Sequence, residues 1–393
     1  MEKMVHNFDE YYDRRGVDSK KYSAGKFEED VLPMWIADTD FRCPKPVMDA
    51  IRKRAEHETL GYPEELAEFQ QAAKGWMAKR HGWEVEEDWI QFVTGVVPGA
   101  IFTLLSNTQP GDQVVCLGPL FGPLRACVID NGRQLVESPF INEEENYRID
   151  FEDLEKKLSS AKATMFIMCN PHNPVGKVFT EEELRKVGEL CLKHHCIIFN
   201  DEIHGDIVYK GHRHVCLASL SKEIADITVT GFNPGKTFNV GGIRTAGCII
   251  PNPVLRERFL TARKKGKGMG RNIFGQAAFI ACYRDCEYYV DQMLEYLEKN
   301  LDYVEGFIKE KLPEIKFHRP DGLYLLWVNC RGLNLSQSEL MTLFEKTGKI
   351  GLNSGLEFGP LGEGYVRLNI AVPRVTLEEG MKRIETAVKS LRK

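Results

Sequence analysis

The sequence predicts an α/β protein: a large domain built on a mainly parallel central sheet, joined to a smaller α+β domain. Three observations predict it. Between residues 89 and 250, short β-rich runs alternate with helical stretches, the pattern of strand–helix–strand units. Several of those runs are apolar throughout, as in Ala163-Thr-Met-Phe-Ile-Met-Cys169, which suits strands covered on both faces. After Pro253 the chain turns strongly helical and then mixes strands with helices.

The elements follow in order. The first 40 residues are polar and irregular until Leu32-Pro-Met-Trp-Ile-Ala-Asp-Thr-Asp-Phe41. One helix begins near Pro46 and stops before Gly61, and a second runs from about Glu65 to His81, where Gly82 ends it. Strands are predicted over 89–94, 113–117, 163–169, 196–200, 227–230 and 245–250. A long helical pattern from about 274 to 310 breaks before Pro313. Strands at 323–329 and 364–371 and helices near 336–347 and 376–391 complete the chain. The expected division is 1–45 as an N-terminal segment and part of the small domain, 46–285 as the large domain, and 286–393 as the small C-terminal domain.

Composition excludes several classes. The 393 residues are 43% hydrophobic and 28% charged, ordinary globular usage. A net charge of −5 argues against a nucleic-acid binder, and no run of about 18 apolar residues points to a membrane span. The first residues lack the apolar core of a secretory signal. Eleven cysteines, none in a Cys-x-x-Cys pair and several inside apolar runs, read as reduced core thiols, so a cytoplasmic location is expected. Gly211-His-Arg-His214, taken with His204, has no standard metal-ligand spacing, so no metal is expected. The basic, glycine-rich run 262–272 reads as a loop at the rim of a site.

Four segments carry chemistry. Thr94-Gly-Val-Val-Pro98 ends a strand and opens a helix, where free amides and small residues could hold an anion; taken alone it reads first as a plain strand–helix turn. Cys169-Asn-Pro-His-Asn-Pro-Val-Gly-Lys177 and Asp201-Glu-Ile-His204 place polar groups at carboxyl ends of apolar strands, where open α/β sheets bind ligands, although each could be a solvated loop. Lys236 stands among small and apolar residues, a setting that lowers a lysine's pKa and suits Schiff-base chemistry; alone it would read as a surface lysine.

In chain order these supply a phosphate cradle, an amide, a carboxylate 28 residues later, a lysine 35 beyond that and Arg244 at lysine +8. The set resembles the fold-type-I pyridoxal-phosphate enzymes, the aspartate aminotransferase superfamily, from about residue 30 to 390. Met34-Trp-Ile-Ala-Asp-Thr-Asp-Phe41, Leu60-Gly-Tyr-Pro63, Thr94-Gly-Val-Val-Pro98, His172-Asn-Pro-Val-Gly-Lys177, Asp201-Glu-Ile-His204, Lys236-Thr-Phe-Asn239 and Arg367-Leu-Asn369 resemble its MalY/PatB branch of cystathionine β-lyases and cysteine C–S lyases.

The resemblance implies pyridoxal 5'-phosphate as cofactor, a small amino-acid substrate and a homodimer. It implies that Lys236 binds the cofactor covalently and then removes the substrate Cα proton to give a quinonoid. Asp201 would face the pyridine nitrogen, Asn173 the phenolic oxygen, with His204 near the same edge. Val96, Val97, Arg244 and Tyr62 from the partner subunit would hold the phosphate, and Phe121 would stack on the ring. Arg367, helped by main chain at Ala37, would clasp the substrate carboxylate.

This chain departs from the branch pattern at Phe121, where a tyrosine is usual; at Gly122, where the lyases often have a second tyrosine; and at Gly235, usually serine. The implied reaction is β-elimination of a thiol with release of pyruvate and ammonia. The alternative is an aminotransferase using the same residues.

Overall fold

The computed structural model describes residues 4–23, 25–266 and 270–392. Residues 267–269 of the basic run and the first three residues of the N-terminus lie outside the described residues.

The chain opens with a short strand, β1 (Leu32–Pro33), then helices α1 (Lys45–Ala55) and α2 (Ala67–Trp76). Helix α2 runs on as a wider turn through His81, and Gly82 closes it in the left-handed conformation at φ +65°. Next come β2 (Ile90–Val93), α3 (Val96–Asn107), β3 (Gln113–Gly118), α4 (Gly122–Ile129) and β4 (Gln134–Pro139). A hairpin of β5 (Ile141–Glu143) and β6 (Asn146–Arg148) leads to α5 (Phe151–Leu158) and β7 (Ala163–Cys169).

Helix α6 (Glu181–Lys193) starts at a capping box in which Thr180 and Glu183 satisfy each other's backbone amides. Then follow β8 (Ile197–Asp201), α7 (Lys222–Asp226), β9 (Thr228–Phe232) and β10 (Ala246–Ile249). Helices α8 (Pro253–Lys265) and α9 (Ile273–Asp285) are capped by the side chains of Asn252 and Asn272.

Here the structure differs from the sequence prediction. The expected continuous helix breaks at Cys286, where α10 (Glu287–Lys311) begins. No glycine or proline marks the break. The halves part because they pack on different partners: α9 lies on α1 and α2, whereas α10 packs on α12 (Arg374–Lys389), the last helix. Between them come β11 (Lys316–Phe317), β12 (Leu325–Asn329), α11 (Gln337–Thr342), β13 (Ile350–Gly351), β14 (Asn353–Ser354) and β15 (Tyr365–Asn369).

The seven-stranded sheet has the order β2-β10-β9-β8-β7-β3-β4. Only β10 runs antiparallel, to both β2 and β9, so the sheet is mainly parallel as predicted. Its central strands are buried on both faces, which is why β7 reads as an unbroken apolar run. Edge strand β4 is half-exposed and polar and went unpredicted. A four-stranded antiparallel sheet, β11-β12-β15-β14, stands apart from it, and β1 pairs with β13 in parallel. Among the described residues no helix is long and apolar enough to cross a membrane.

Candidate active site

Register in the large sheet gathers the site. Cys169 of β7 lies opposite Asp201 of β8, and Asp201 opposite Gly231 of β9. All three strands run parallel, so the loops after them leave the same edge: 170–177 with Asn173, 202–206 with His204, and 233–240 with Lys236. Helix α3 enters the same edge because its backbone approaches the sheet closely. A methyl at Gly99 would meet the Cys248 sulfur at 2.5 Å, and one at Gly231 would meet Val96 at 2.7 Å. No side chain caps the first turn of α3, which carries Val96 and Val97.

The second wall comes from the small sheet and the N-terminal segment. Arg367 on β15 stands opposite Trp327 of β12 and Asn353 of β14. Its guanidinium donates to Asn173 Oδ1 (3.1 Å), Asn353 Oδ1 (2.7 Å) and the Trp35 carbonyl (3.1 Å), and lies 4.8 Å over the Phe358 ring. Burial pushes its pKa down to about 10, and its Nε is buried without a partner. Two residues along the same strand, Asn369 donates to the carbonyls of Ile36 (2.7 Å) and Asp38 (2.6 Å), clamping the segment on either side of Ala37. The Ala37 carbonyl accepts from Lys236 Nζ and from the Tyr324 hydroxyl (3.3 Å).

Electrostatics follow from enclosure. Burial, aided by the Arg367 charge, pushes the Lys236 amine down to about 8. Burial pushes Asp201 up to about 7. One Asp201 oxygen accepts from the Ile203 amide (3.1 Å), and among the described residues no cation forms an ion pair with it. His204 is buried, held neutral by burial, edge-on to Tyr324 with its Nδ1 unpartnered.

The structure thus brings Ala37, Asn173, Asp201, His204, Lys236 and Arg367 to one place, with Val96 and Val97 at the neighbouring helix start and Phe121 half-buried ahead of α4. Two predicted residues stand apart from these contacts. Arg244 is exposed in a left-handed turn, and Tyr62 is fully exposed.

Sequence reading missed Asn353 and Tyr324, and gave Asn369 no role. Only Asn369 had a local signal, its i+2 spacing from Arg367 on one strand face. It also missed that His81, His214 and Cys216 present potential ligand atoms within 4.8 Å of one another, a group without His204. Each histidine there is bonded to a carboxylate, His81 to Asp206 and His214 to Glu202, both at 3.0 Å.

The family model for aminotransferase class I and II matches residues 29–384. The chain belongs to that family. It is 40% identical over 385 residues to the cystathionine beta-lyase PatB of Bacillus subtilis, covering 97% of this chain and 100% of that one. Cystalysin from Treponema denticola, which contains pyridoxal 5'-phosphate, superposes with a TM-score of 0.96 at 31% identity, over 99% of this chain and all of that one. The PLP-bound C-S lyase of Staphylococcus hominis gives 0.92 at 30% identity, over 98% of each chain. The fold is that of the fold-type-I pyridoxal-phosphate proteins.

The residues of this chain fit that cofactor. A buried carboxylate without an ion pair suits a ring cation, an uncapped helix start suits a phosphate, and an amine of lowered pKa suits an aldehyde. The departures at 122 and 235 are packing constraints. A side chain at Gly122 would meet the Glu357 carbonyl at 2.6 Å, and one at Gly235 would meet Asn233 at 2.7 Å and the Gly241 backbone at 3.0 Å.

Proposed function

We propose that this protein is a pyridoxal-phosphate-dependent carbon–sulfur β-lyase that releases a thiol, pyruvate and ammonia from cystathionine or a related S-substituted cysteine. The observation that carries it is full-length similarity, at 30–40% identity, to proteins named as a cystathionine beta-lyase and a C-S lyase. When bound, the cofactor supplies an electron sink for the negative charge left at the substrate's Cα.

The chain's own residues do the rest. Lys236 would hold the cofactor through its amine and would serve as the base for the substrate's Cα proton; its lowered pKa leaves a large neutral fraction near pH 8. Asp201 would hold a negative charge against the cofactor's ring nitrogen. Arg367 presents a guanidinium fixed by Asn173, Asn353 and Trp35, with a spare buried N–H for the substrate carboxylate. Asn173 Oδ1 is occupied by Arg367, which orients its amide N–H groups for an acceptor such as the cofactor's phenolic oxygen. The Val96 and Val97 amides would hold the phosphate, with Arg244 turning in from its exposed position, and Phe121 would lie against the ring.

Tyr62 stands fully exposed, which supports a homodimer in which it would reach the phosphate site of the other copy. All eleven cysteines are free thiols, which supports a reducing cytoplasmic setting.

The test is incubation of purified protein with pyridoxal phosphate and cystathionine while pyruvate and cofactor absorbance are followed together. Pyruvate release that disappears in Lys236→Ala is the expected result. Efficient amino transfer to a keto acid, with no pyruvate from any S-substituted cysteine, overturns the proposal.

A further inference from the structure

Behind the site lies a buried polar network that the chemistry above does not use. Asp206 accepts from three donors: the Thr237 hydroxyl (2.8 Å), the Trp76 indole N–H (2.9 Å) and the His81 ring (3.0 Å). The His81 ring meets His214 edge to face, with centroids 5.2 Å apart at 83°. His214 in turn bonds Glu202 at 3.0 Å, whose other oxygen accepts from the Asn200 side chain and the Leu217 amide (3.1 Å). The network begins at Thr237, next to Lys236, and ends at Glu202, next to Asp201. The proposed base and the ring-facing carboxylate are thus held in one frame anchored on α2 and the turn that extends it.

We infer that Asp206 is a positioning residue that fixes Lys236, through the Thr237 hydroxyl, relative to Asp201. Three converging donors hold Asp206 in its ionised form despite burial: the penalty of desolvation is outweighed by the bonds to His81, Thr237 and Trp76. The Thr237 hydroxyl has its proton committed to that carboxylate, which pins the main chain of the lysine loop. Trp76 is 2% exposed and stacks on Tyr283 (centroids 5.1 Å apart), so the anchor itself cannot shift without opening the core.

The inference rests on the reading of Lys236 as the cofactor-bearing lysine. Borohydride reduction of the native holoenzyme followed by peptide mapping tests that reading by itself, because a label on another residue would refute it whatever Thr237 does. For the positioning role, Thr237→Val, Thr237→Ser and Asp206→Asn are compared as holoenzymes by steady-state kinetics, visible circular dichroism of the bound cofactor, and thermal melting. Thr237→Val and Asp206→Asn are expected to lower kcat by about tenfold or more, leave KM within about threefold, and alter the cofactor's dichroic band. Thr237→Ser, which keeps the hydroxyl, should restore both kcat and the band. If Asp206→Asn does not fold, the threonine pair carries the test. Variants that melt earlier yet keep wild-type kcat and dichroism would reduce the network to a structural role and overturn the inference. So would a serine variant as impaired as the valine one.

Discussion

Replacing Asp201 with asparagine should move stability in opposite directions with and without cofactor. In the stripped protein Asp201 is a 4% exposed carboxyl whose pKa rises from 3.8 to about 7, chiefly by burial. Below about pH 4 the group is protonated in both folded and unfolded chains, so it imposes no penalty. Between pH 4 and 7 the unfolded chain gives up the proton while the folded one keeps it, and the penalty grows. At about 1.4 kcal/mol per pH unit it levels off near ~4 kcal/mol above pH 7. Asparagine carries no charge to desolvate, so stripped Asp201→Asn should be close to wild type at pH 4 and more stable by up to ~4 kcal/mol at pH 8. The attraction of Lys236 for Asp201 is already contained in that net shift.

Pyridoxal phosphate should reverse the order if, as proposed, the cation on its ring nitrogen pairs with the aspartate, which the amide cannot match. Urea denaturation of both proteins at the two pH values, stripped and reloaded, gives the measurement. Parallel pH dependence of the two stripped proteins would show that Asp201 is not a destabilised carboxylate awaiting a cation, and the reasoning would fail.

Other outcomes follow from the same geometry. Arg367→Lys keeps the charge but loses the planar fork that bridges Asn173, Asn353 and Trp35, so KM should rise about 10- to 100-fold with a smaller change in kcat. Lys236 in the stripped protein is pushed down to about 8. Stopped-flow capture of pyridoxal phosphate should therefore accelerate with pH only up to about pH 8 as the amine deprotonates, whereas an ordinary lysine would keep the rate climbing beyond pH 10. Asn300 is fully buried and donates to the carbonyls of Ile370 (2.9 Å) and Val372 (3.0 Å). Asn300→Ala leaves both unsatisfied and should cost about 2–3 kcal/mol in urea denaturation.

The sequence made six strands of the large sheet legible because burial on both faces leaves an apolar run that needs no partner to be recognised. The motifs at strand ends were legible for a related reason: polar groups and prolines at the end of such a run are locally conspicuous. Edge strand β4 was lost because its Gln134, Glu137 and Ser138 give it the composition of a loop. Asn353 was lost because nothing in its neighbourhood announces a role. It meets Arg367 only through the pairing of β14 with β15, and register between distant strands is not written locally. The helix break at Cys286 reflects competition between two packing partners, which periodicity along one segment cannot register.

The clamp of Asn369 on the carbonyls of Ile36 and Asp38 closes a contact across 333 residues in the first case and 331 in the second. During synthesis the segment around Ala37 is among the earliest chain made, and although Asn239 can hold the Thr39 and Phe41 carbonyls earlier, the bonds to Ile36 and Asp38 on either side of Ala37 wait for the strand at Tyr365–Asn369. Asp201 and Lys236 can be set in their sheet well before that moment. Arg367 arrives with the same late strand, so the clasp proposed for the substrate's carboxylate is the last part of the candidate site a growing chain can acquire. A shortened chain ending before that strand would still carry the lysine and the aspartate, but would lack the means to recognise an amino acid.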